Sequence, residues 1–334
     1  MTEDPRPRVT IVVTQRDHLS DAMRALEALY QHTAAPFHLL YVDTGPTGRF
    51  GRELVREARR RGFALIRSER QLLQNEARNL AFERVETPYV VFLDNDMIVA
   101  SGWLTHLLDA ADATGAEAVG PMICEGEPLH RIVHAAGGRV DIIEQPTGSA
   151  DPGRHLMVDQ AHYLDPVEAA PVERQETGML EVHGVLVRTD FFRRIGGFDE
   201  AMRNTREHVD FSLSIKQAGG RLMLEPAAMT TLLLPTPVSP AEARYFLYRW
   251  NAIDEVAGLE HMARKWNLTW DESLRKRKAN AGWRKSRHLI KPWGRRMLLG
   301  LKWRPFTRWL ERIDASRDAA RVAQNEQARS GRRH

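Results

Sequence analysis

The sequence predicts an α/β protein: a doubly wound, mostly parallel sheet flanked by helices, followed by a basic helical extension. Three observations lead there. From residue 8 onward short apolar runs alternate with segments of helical period, the order of a parallel sheet with crossover helices. The run Tyr89-Val90-Val91-Phe92-Leu93 is apolar throughout, as in a strand covered on both faces. Finally, charge separates along the chain: the first 274 residues hold twenty-nine basic and forty acidic groups, whereas residues 275–312 hold fourteen Lys and Arg and one acid, Glu311.

Arg8 to Val13 is a β-branched run, and Leu19, Met23, Leu26 and Tyr30 then recur on one helical stripe. His38 to Val42 is the next strand, ending at Asp43. A polar turn with Gly45, Pro46 and Gly48 leads to a helix over 52–61, stopped by Gly62 as its C′ residue. Phe63 to Ile66 is a third strand, Gln74 to Val85 a helix, and Tyr89 to Leu93 the fourth strand. Ser101 is placed to cap a helix ending near Gly115, and Ala116 to Pro121 is another strand. After the first strand comes Thr14-Gln15-Arg16-Asp17, with neither a G-x-G-x-x-G loop nor a Walker lysine, so a phosphate ligand must be held another way.

Asp94 and Asp96 stand at the end of the fourth strand. Ionised carboxylates there need a partner or a cation to offset lost hydration, and the carboxyl ends of parallel strands form the ligand crevice. Such a pair suits Mg2+ or Mn2+ and, through the metal, a diphosphate.

Composition excludes disordered and fibrous classes: 334 residues are 43% hydrophobic. The single cysteine, Cys124, excludes an intramolecular disulfide and fits a reducing compartment. Neither a signal peptide nor a transmembrane helix is expected. The tail interleaves Trp283, Trp293, Trp303 and Trp309 with cations, and Trp293, Met297 and Leu301 repeat every four residues, with Pro292 and Pro305 dividing it into short helices. That pattern suits an anionic membrane surface; the competing reading is a helical cap with a solvated basic face. Nucleic acid is not an expected partner, since no recognition module accompanies the cations.

The ordered set V-D-x-G at 42–45, A-R-N at 77–79, F-L-D-N-D at 92–96, F-x-R-R-x-G-G-F-D-E at 191–200 and E-H-V-D-F at 207–211 resembles the family 2 glycosyltransferases of the GT-A fold, over roughly residues 8–235. The resemblance implies that Thr14 and Asp43 hold the base and ribose of a nucleotide sugar and that Arg78 approaches the nucleotide. Asp94 would face the ribose and share the metal site with Asp96, the residue that coordinates the ion bridging the two phosphates. His183 and Gly184 would meet the sugar or acceptor. Glu207-His208 falls on the family's E-D motif, whose aspartate is the general base. Here that position is His208, an imidazole able to serve as a base near neutral pH, with Glu207 or Asp210 to orient or replace it; alternatively His208 merely fills a helix turn. The extra histidine ligand after the last core strand is missing, Leu232-Leu233-Leu234-Pro235 standing there. Residues 125–180 would hold acceptor-side loops, a candidate lid; His130, His134, His155 and His162 lack zinc-ligand spacing.

The expected organisation is a short N-terminus (1–7), a GT-A catalytic domain (8–240, halves 8–122 and 123–240), a basic extension (241–312) and a polar tail (313–334). The expected activity is metal-dependent, inverting transfer from a nucleotide diphosphate sugar to a hydroxyl of a glycan or lipid-linked acceptor, at the cytoplasmic face of the cell membrane. A non-catalytic sugar-nucleotide-binding homologue and a sugar-phosphate nucleotidyltransferase are the alternatives.

Overall fold

The computed structural model describes residues 6–17, 19–44, 48–149, 152–234 and 238–330. They form two compact units, Met1–Glu200 with Arg206–Pro235, and Ala201–Thr205 with Thr236–His334.

The first unit opens with β1 (Val9–Thr14), α1 (Ala22–His32), β2 (His38–Asp43), α2 (Gly48–Arg61), β3 (Ala64–Arg67), α3 (Gln74–Phe82) and β4 (Tyr89–Asp94). There follow β5 (Met97–Val99), α4 (Trp103–Thr114), β6 (Ala118–Glu125), β7 (Val133–Ala135), β8 (Gly138–Gln145), β9 (Gly153–Gln160), β10 (Gln175–Glu176), β11 (Gly184–Arg188), α5 (Thr189–Arg194), α6 (Glu207–Gln217) and β12 (Leu222–Leu232). The main sheet runs β10-β12-β6-β11-β4-β1-β2-β3. β1 is parallel to both β2 and β4, while β11 enters antiparallel between β4 and β6. The expected α/β class and mostly parallel sheet are therefore present, and the reversed strand β11 carries the chain back to the end of β4.

Strand periodicity divides the core between the two faces of the sheet. Tyr89, Val91 and Leu93 of β4 pack with Leu26 and Leu29 of α1 and Trp103, Leu104 and Leu107 of α4. Val90 and Phe92 pack with Ala77, Ala81 and Phe82 of α3, Phe192 of α5 and Phe211 of α6. Phe92 is fully buried, its ring centroid 4.8 Å from that of Phe198 and 5.3 Å from that of Phe192. Each such ring contributes roughly 1.5–3 kcal/mol of transfer free energy. This aromatic layer holds the start of α6 over the end of β4.

Two local expectations change and a third holds. Ser101 does not cap α4: Gly102, at φ 76°, occupies that position, and the Ser101 hydroxyl meets His32 Nδ1 at 3.0 Å. Residues 125–180 are not simply loops, for β8 and β9 form an antiparallel ribbon paired from Gly138–Gln160 to Gln145–Gly153. Gly62, at φ 77°, does terminate α2.

The second unit contains α7 (Pro240–Arg249), α8 (Ala252–Lys265), α9 (Glu272–Ala279), α10 (Trp283–Lys285), a π-helical turn (Ser286–Ile290), α11 (Lys291–Met297) and α12 (Arg304–Ser330). Ser239 and Glu242 form a capping box on α7. Val238, Phe246, Trp250 and Leu289 make its core, and buried Lys285 pairs with Asp314 and Asp318 of α12. Neither proline divides a helix. Pro292 lies in the first turn of α11, entered from the π turn, and Pro305 in the first turn of α12, where a missing N–H costs nothing. No described helix is long and apolar enough to cross a membrane.

Candidate active site

The site begins where β4 runs out. Asp94, Asn95 and Asp96 are each 1% exposed. Three backbone or side-chain bonds to Asn95 and Asp94 fix this turn: Asn95 N–H donates to Thr14 O (3.0 Å), Asp94 N–H to His183 O (3.1 Å), and Arg16 N–H to Asn95 Oδ1 (2.6 Å). The ends of β1 and β11 thus converge on the aspartate turn.

Asp94 is surrounded by donors. Its Oδ1 accepts from Arg78 (3.0 Å) and Gln74 (3.2 Å), while Oδ2 lies 2.7 Å from His183 Nδ1 and 3.5 Å from Arg16 Nε. Burial would raise its pKa, but Arg78, His183 and Arg16 outweigh it, and the carboxyl is held well below the usual range. Asp96 lies beside the same arginine, its Oδ2 3.4 Å from Arg16 Nη1. Burial would lower the Arg16 pKa; Asp96, Asp17, Asp94 and Glu181 reverse this and raise it.

Arg78 is a buried residue, not a surface one. It is 1% exposed and also bonds Asn75 Oδ1 and the Val182 carbonyl. The next residue explains the G-G-F-D-E segment. Asn79 accepts from Phe198 N–H at 2.9 Å and donates to Phe198 O at 2.8 Å, and a Cβ on Gly197 would stand 2.9 Å from Asn79 Oδ1. Gly196 and Gly197 both have positive φ, so their role is in the backbone.

Thr14 is buried, and its hydroxyl has no hydrogen-bond partner among the described residues, so it is open to accept or donate a bond at the end of β1. Asp43 is buried at the end of β2 and bonded to Arg67 Nε at 3.1 Å; Gly45 lies outside the described residues. Gly184 begins β11 opposite Leu93. Glu207, His208 and Asp210 occupy the first turn of α6, where the macrodipole favours acidic side chains.

His208 reaches the site through Glu181. Its Nδ1 lies 3.6 Å from Glu181 Oε2, and the same oxygen is 3.5 Å from His183 Nε2. Burial would raise the Glu181 pKa, yet His208, His183, His134 and Arg16 bring it below the ordinary value. The His183 imidazole is held below its ordinary pKa, first by burial and then by Arg16, against the pull of Asp94 and Glu181. His134 completes the group, with Nδ1 2.5 Å from Glu125 Oε2 and its ring 6.1 Å from that of His183.

Sequence reasoning brings together Thr14, Arg78, Asp94, Asp96, His183 and His208, but passes over Arg16, Glu181 and His134. One signal was available for Glu181, since it stands two residues before His183 in an extended approach to β11. Arg16 and His134 carry no local signal; tertiary folding alone delivers them. As for a metal, no group of three or more His, Cys, Asp or Glu able to hold an ion occurs among the described residues. The donor set instead fits an ion held by one carboxylate and completed by ligand phosphates, a mode common for Mg2+.

Residues 10–145 match the family model described as glycosyl transferase family 2. Over 153 residues, 46% of this chain, the sequence is 28% identical to a pre-mycofactocin glycosyltransferase of Mycobacterium tuberculosis (strain CDC 1551 / Oshkosh). Over 110 residues, 32% of this chain, it is 32% identical to a teichoic acid poly(glycerol phosphate) polymerase of Staphylococcus epidermidis. These stretches span only 28% and 15% of the two relatives' lengths. Among solved structures, GalNAc-T7 with UDP, GalNAc and Mn2+ is similar over 86% of this chain and 58% of that one, with TM-score 0.53 at 15% identity, a likeness of fold. The fold is thus of the GT-A type.

Proposed function

We propose, from residues 10–145 belonging to the glycosyl transferase family 2, that this protein moves a sugar from a nucleoside diphosphate sugar to a hydroxyl of a glycan or lipid-linked acceptor, with inversion. The observation that carries this reading is the buried Asp94-Asn95-Asp96 turn at the end of the central strand, linked through His183 and Glu181 to the helix start that bears His208. Thr14 and Asp43 line the nucleotide side. Asp94, fixed by Arg78 and Gln74, orders the turn, and Asp96 is the residue that would hold Mn2+ or Mg2+. When bound, the ion offsets charge on the leaving diphosphate. Arg16, between both aspartates, adds positive charge at the same place. His208 takes the acceptor proton, and His183 and Gly184 line the sugar side. The Mn2+ and UDP in the GalNAc-T7 structure support the donor class.

The second unit supports adsorption to an anionic membrane. Trp283, Met297, Leu301, Trp303 and Trp309 are each at least half exposed, beside Lys302, Arg304 and Arg308. This would place the enzyme at the cytoplasmic membrane face.

The test is a panel of nucleotide sugars with Mn2+ or Mg2+, read as nucleoside diphosphate release. Release from at least one donor, lost in Asp96→Asn, is expected. No release from any donor, with thermal stabilisation by one, would mean a binding protein rather than an enzyme. Flotation with phosphatidylglycerol liposomes tests adsorption; equal flotation by wild type and by a Trp283→Ala/Trp303→Ala/Trp309→Ala variant overturns it.

A further inference from the structure

The imidazole of His208 lies within ion-pair distance of Glu181, a carboxylate that does not come from its own helix. We propose that Glu181 is the positioning residue for His208: it holds the Nδ1 nitrogen as the protonated one and leaves the Nε2 lone pair to receive the acceptor proton. This rests on the reading of His208 as the base and assigns it a partner other than Glu207 or Asp210.

Geometry supplies the first argument. Glu181 Oε2 is 3.6 Å from His208 Nδ1, a separation that closes to a hydrogen bond with a small ring movement when a substrate fills the site. The side chain of Glu181 is 9% exposed against 25% for His208, so the carboxylate is the fixed member and the imidazole reaches outward. Backbone ties hold the two segments together. Ser212 Oγ accepts from Leu180 N–H at 3.1 Å and donates to His208 O at 2.8 Å, linking the residue before Glu181 to the helix turn of His208.

Proton bookkeeping supplies the second. His183 Nδ1 lies 2.7 Å from Asp94 Oδ2, so its Nδ1 proton is committed to that carboxylate. The same ring turns Nε2, the nitrogen not bonded to Asp94, toward Glu181 Oε2 at 3.5 Å. The other imidazole within 4 Å of that same oxygen is His208, which presents Nδ1. Which ring nitrogen of a histidine carries the proton is set by the bond the other makes.

The substitution itself supplies the third. An aspartate base offers two equivalent oxygens, whereas a neutral imidazole is a base at one nitrogen only and fails in the wrong tautomer. A histidine at 208 therefore needs a neighbour that an aspartate would not. As the acceptor oxygen attacks, its proton passes to Nε2, and the imidazolium formed keeps its Nδ1 proton facing the Glu181 carboxylate; no other reactant is required. The remaining charged groups around Glu181 are His183, His134 and Arg16, and those on the helix of His208 are Glu207, Asp210 and, at its far end, Lys216.

The experiment is nitrogen NMR of full-length protein labelled at histidine, with the His208 signals identified by their loss in His208→Gln. Wild type should show His208 with Nδ1 protonated and Nε2 bare. Glu181→Leu should shift the ring toward the opposite tautomer, whereas Glu207→Gln should not. Glu181→Gln, isosteric and so least disturbing to folding, should lower kcat about 10–100-fold, as loss of a partner behind a functional imidazole does. The donor KM should hold, with part of kcat restored by Glu181→Asp. Nε2 protonation in wild type, or an unchanged tautomer in Glu181→Leu, overturns the proposal. If the tautomers behave as expected but His208→Gln keeps full kcat, the base reading fails while the Glu181–His208 pairing stands.

Discussion

In the first unit Arg16, Arg78, Asp94, Asp96 and Glu181 turn inward and answer one another across less than 4 Å or through a shared imidazole. In the second, Lys276, Lys302, Arg304 and Arg308 face solvent, beside exposed Trp283, Trp303 and Trp309. The residue types are the same, but their energetics differ. A buried charge is stabilised only by its partner, so removing one member leaves the other in a low-dielectric interior. An exposed cation is screened and already hydrated, so its value lies in what approaches from outside. Lys285, buried between Asp314 and Asp318, is the internal control: in the second unit by position, yet of the first kind by environment.

The largest effects should separate the two kinds. Arg78→Met removes the bonded guanidinium from buried Asp94 and should cost about 3–5 kcal/mol in chemical denaturation, and Lys285→Met a similar amount, whereas Lys302→Met should stay within about 0.5 kcal/mol. A small loss for Arg78→Met would mean that the inward charges are not coupled as described. Next, Asp96→Asn should lower nucleoside diphosphate release by roughly 10²–10³-fold, the loss expected on removing one preorganised charge-stabilising group.

The legible part of this protein was what local pattern encodes. The continuous apolar run at 89–93 and the helical stripes gave the succession of strands and helices from β1 to β4, and the aspartate turn followed from charges at the end of an apolar strand. Illegible was whatever depended on distant chain segments meeting. β11 runs antiparallel because it pairs with β4, about ninety residues earlier, and no local feature of Gly184–Arg188 announces that direction. Arg16 looked like a departure from a motif and is placed between both aspartates by one bond to Asn95. The motif pointed to Arg78 as a nucleotide-side residue, while its depth behind Asp94 depends on the packing of Phe198, whose ring lies 5.3 Å from the guanidinium.

Mild acid should also distinguish the units, through opposite signs. His183 has a lowered pKa from burial and Arg16, so its neutral form is favoured in the fold. The unfolded chain then binds more protons, and stability falls as pH drops below about 6.5 toward the folded value, by up to about 1.4 kcal/mol per pH unit. Glu181, also lowered, adds its loss below about pH 4.3. Asp318 in the second unit is raised by burial, despite Lys285, so protonation there relieves a cost as pH falls. Hydrogen exchange followed from pH 7 to 5 should show faster opening in β4 and β11 than in α12. Equal acceleration in both would count against the inward cluster as the source.

The smallest predicted effect concerns the outward charges, and it needs a readout other than stability. Lys302 and Arg308 are exposed and have no ion pair among the described residues, so Lys302→Gln or Arg308→Gln should leave the denaturation midpoint unchanged. Each cation near an anionic bilayer contributes about 1 kcal/mol, so each variant should bind phosphatidylglycerol liposomes roughly fivefold more weakly, and the double variant about twenty-five-fold. The difference should shrink as salt shortens the Debye length from about 10 Å at 0.1 M to about 3 Å at 1 M. The aromatic contribution should survive salt, because burying Trp303 and Trp309 in the interface is an apolar effect. Liposome binding that depends on neither cation nor salt would make these residues an ordinary solvated face, and the contrast between inward and outward charge would then be one of burial alone.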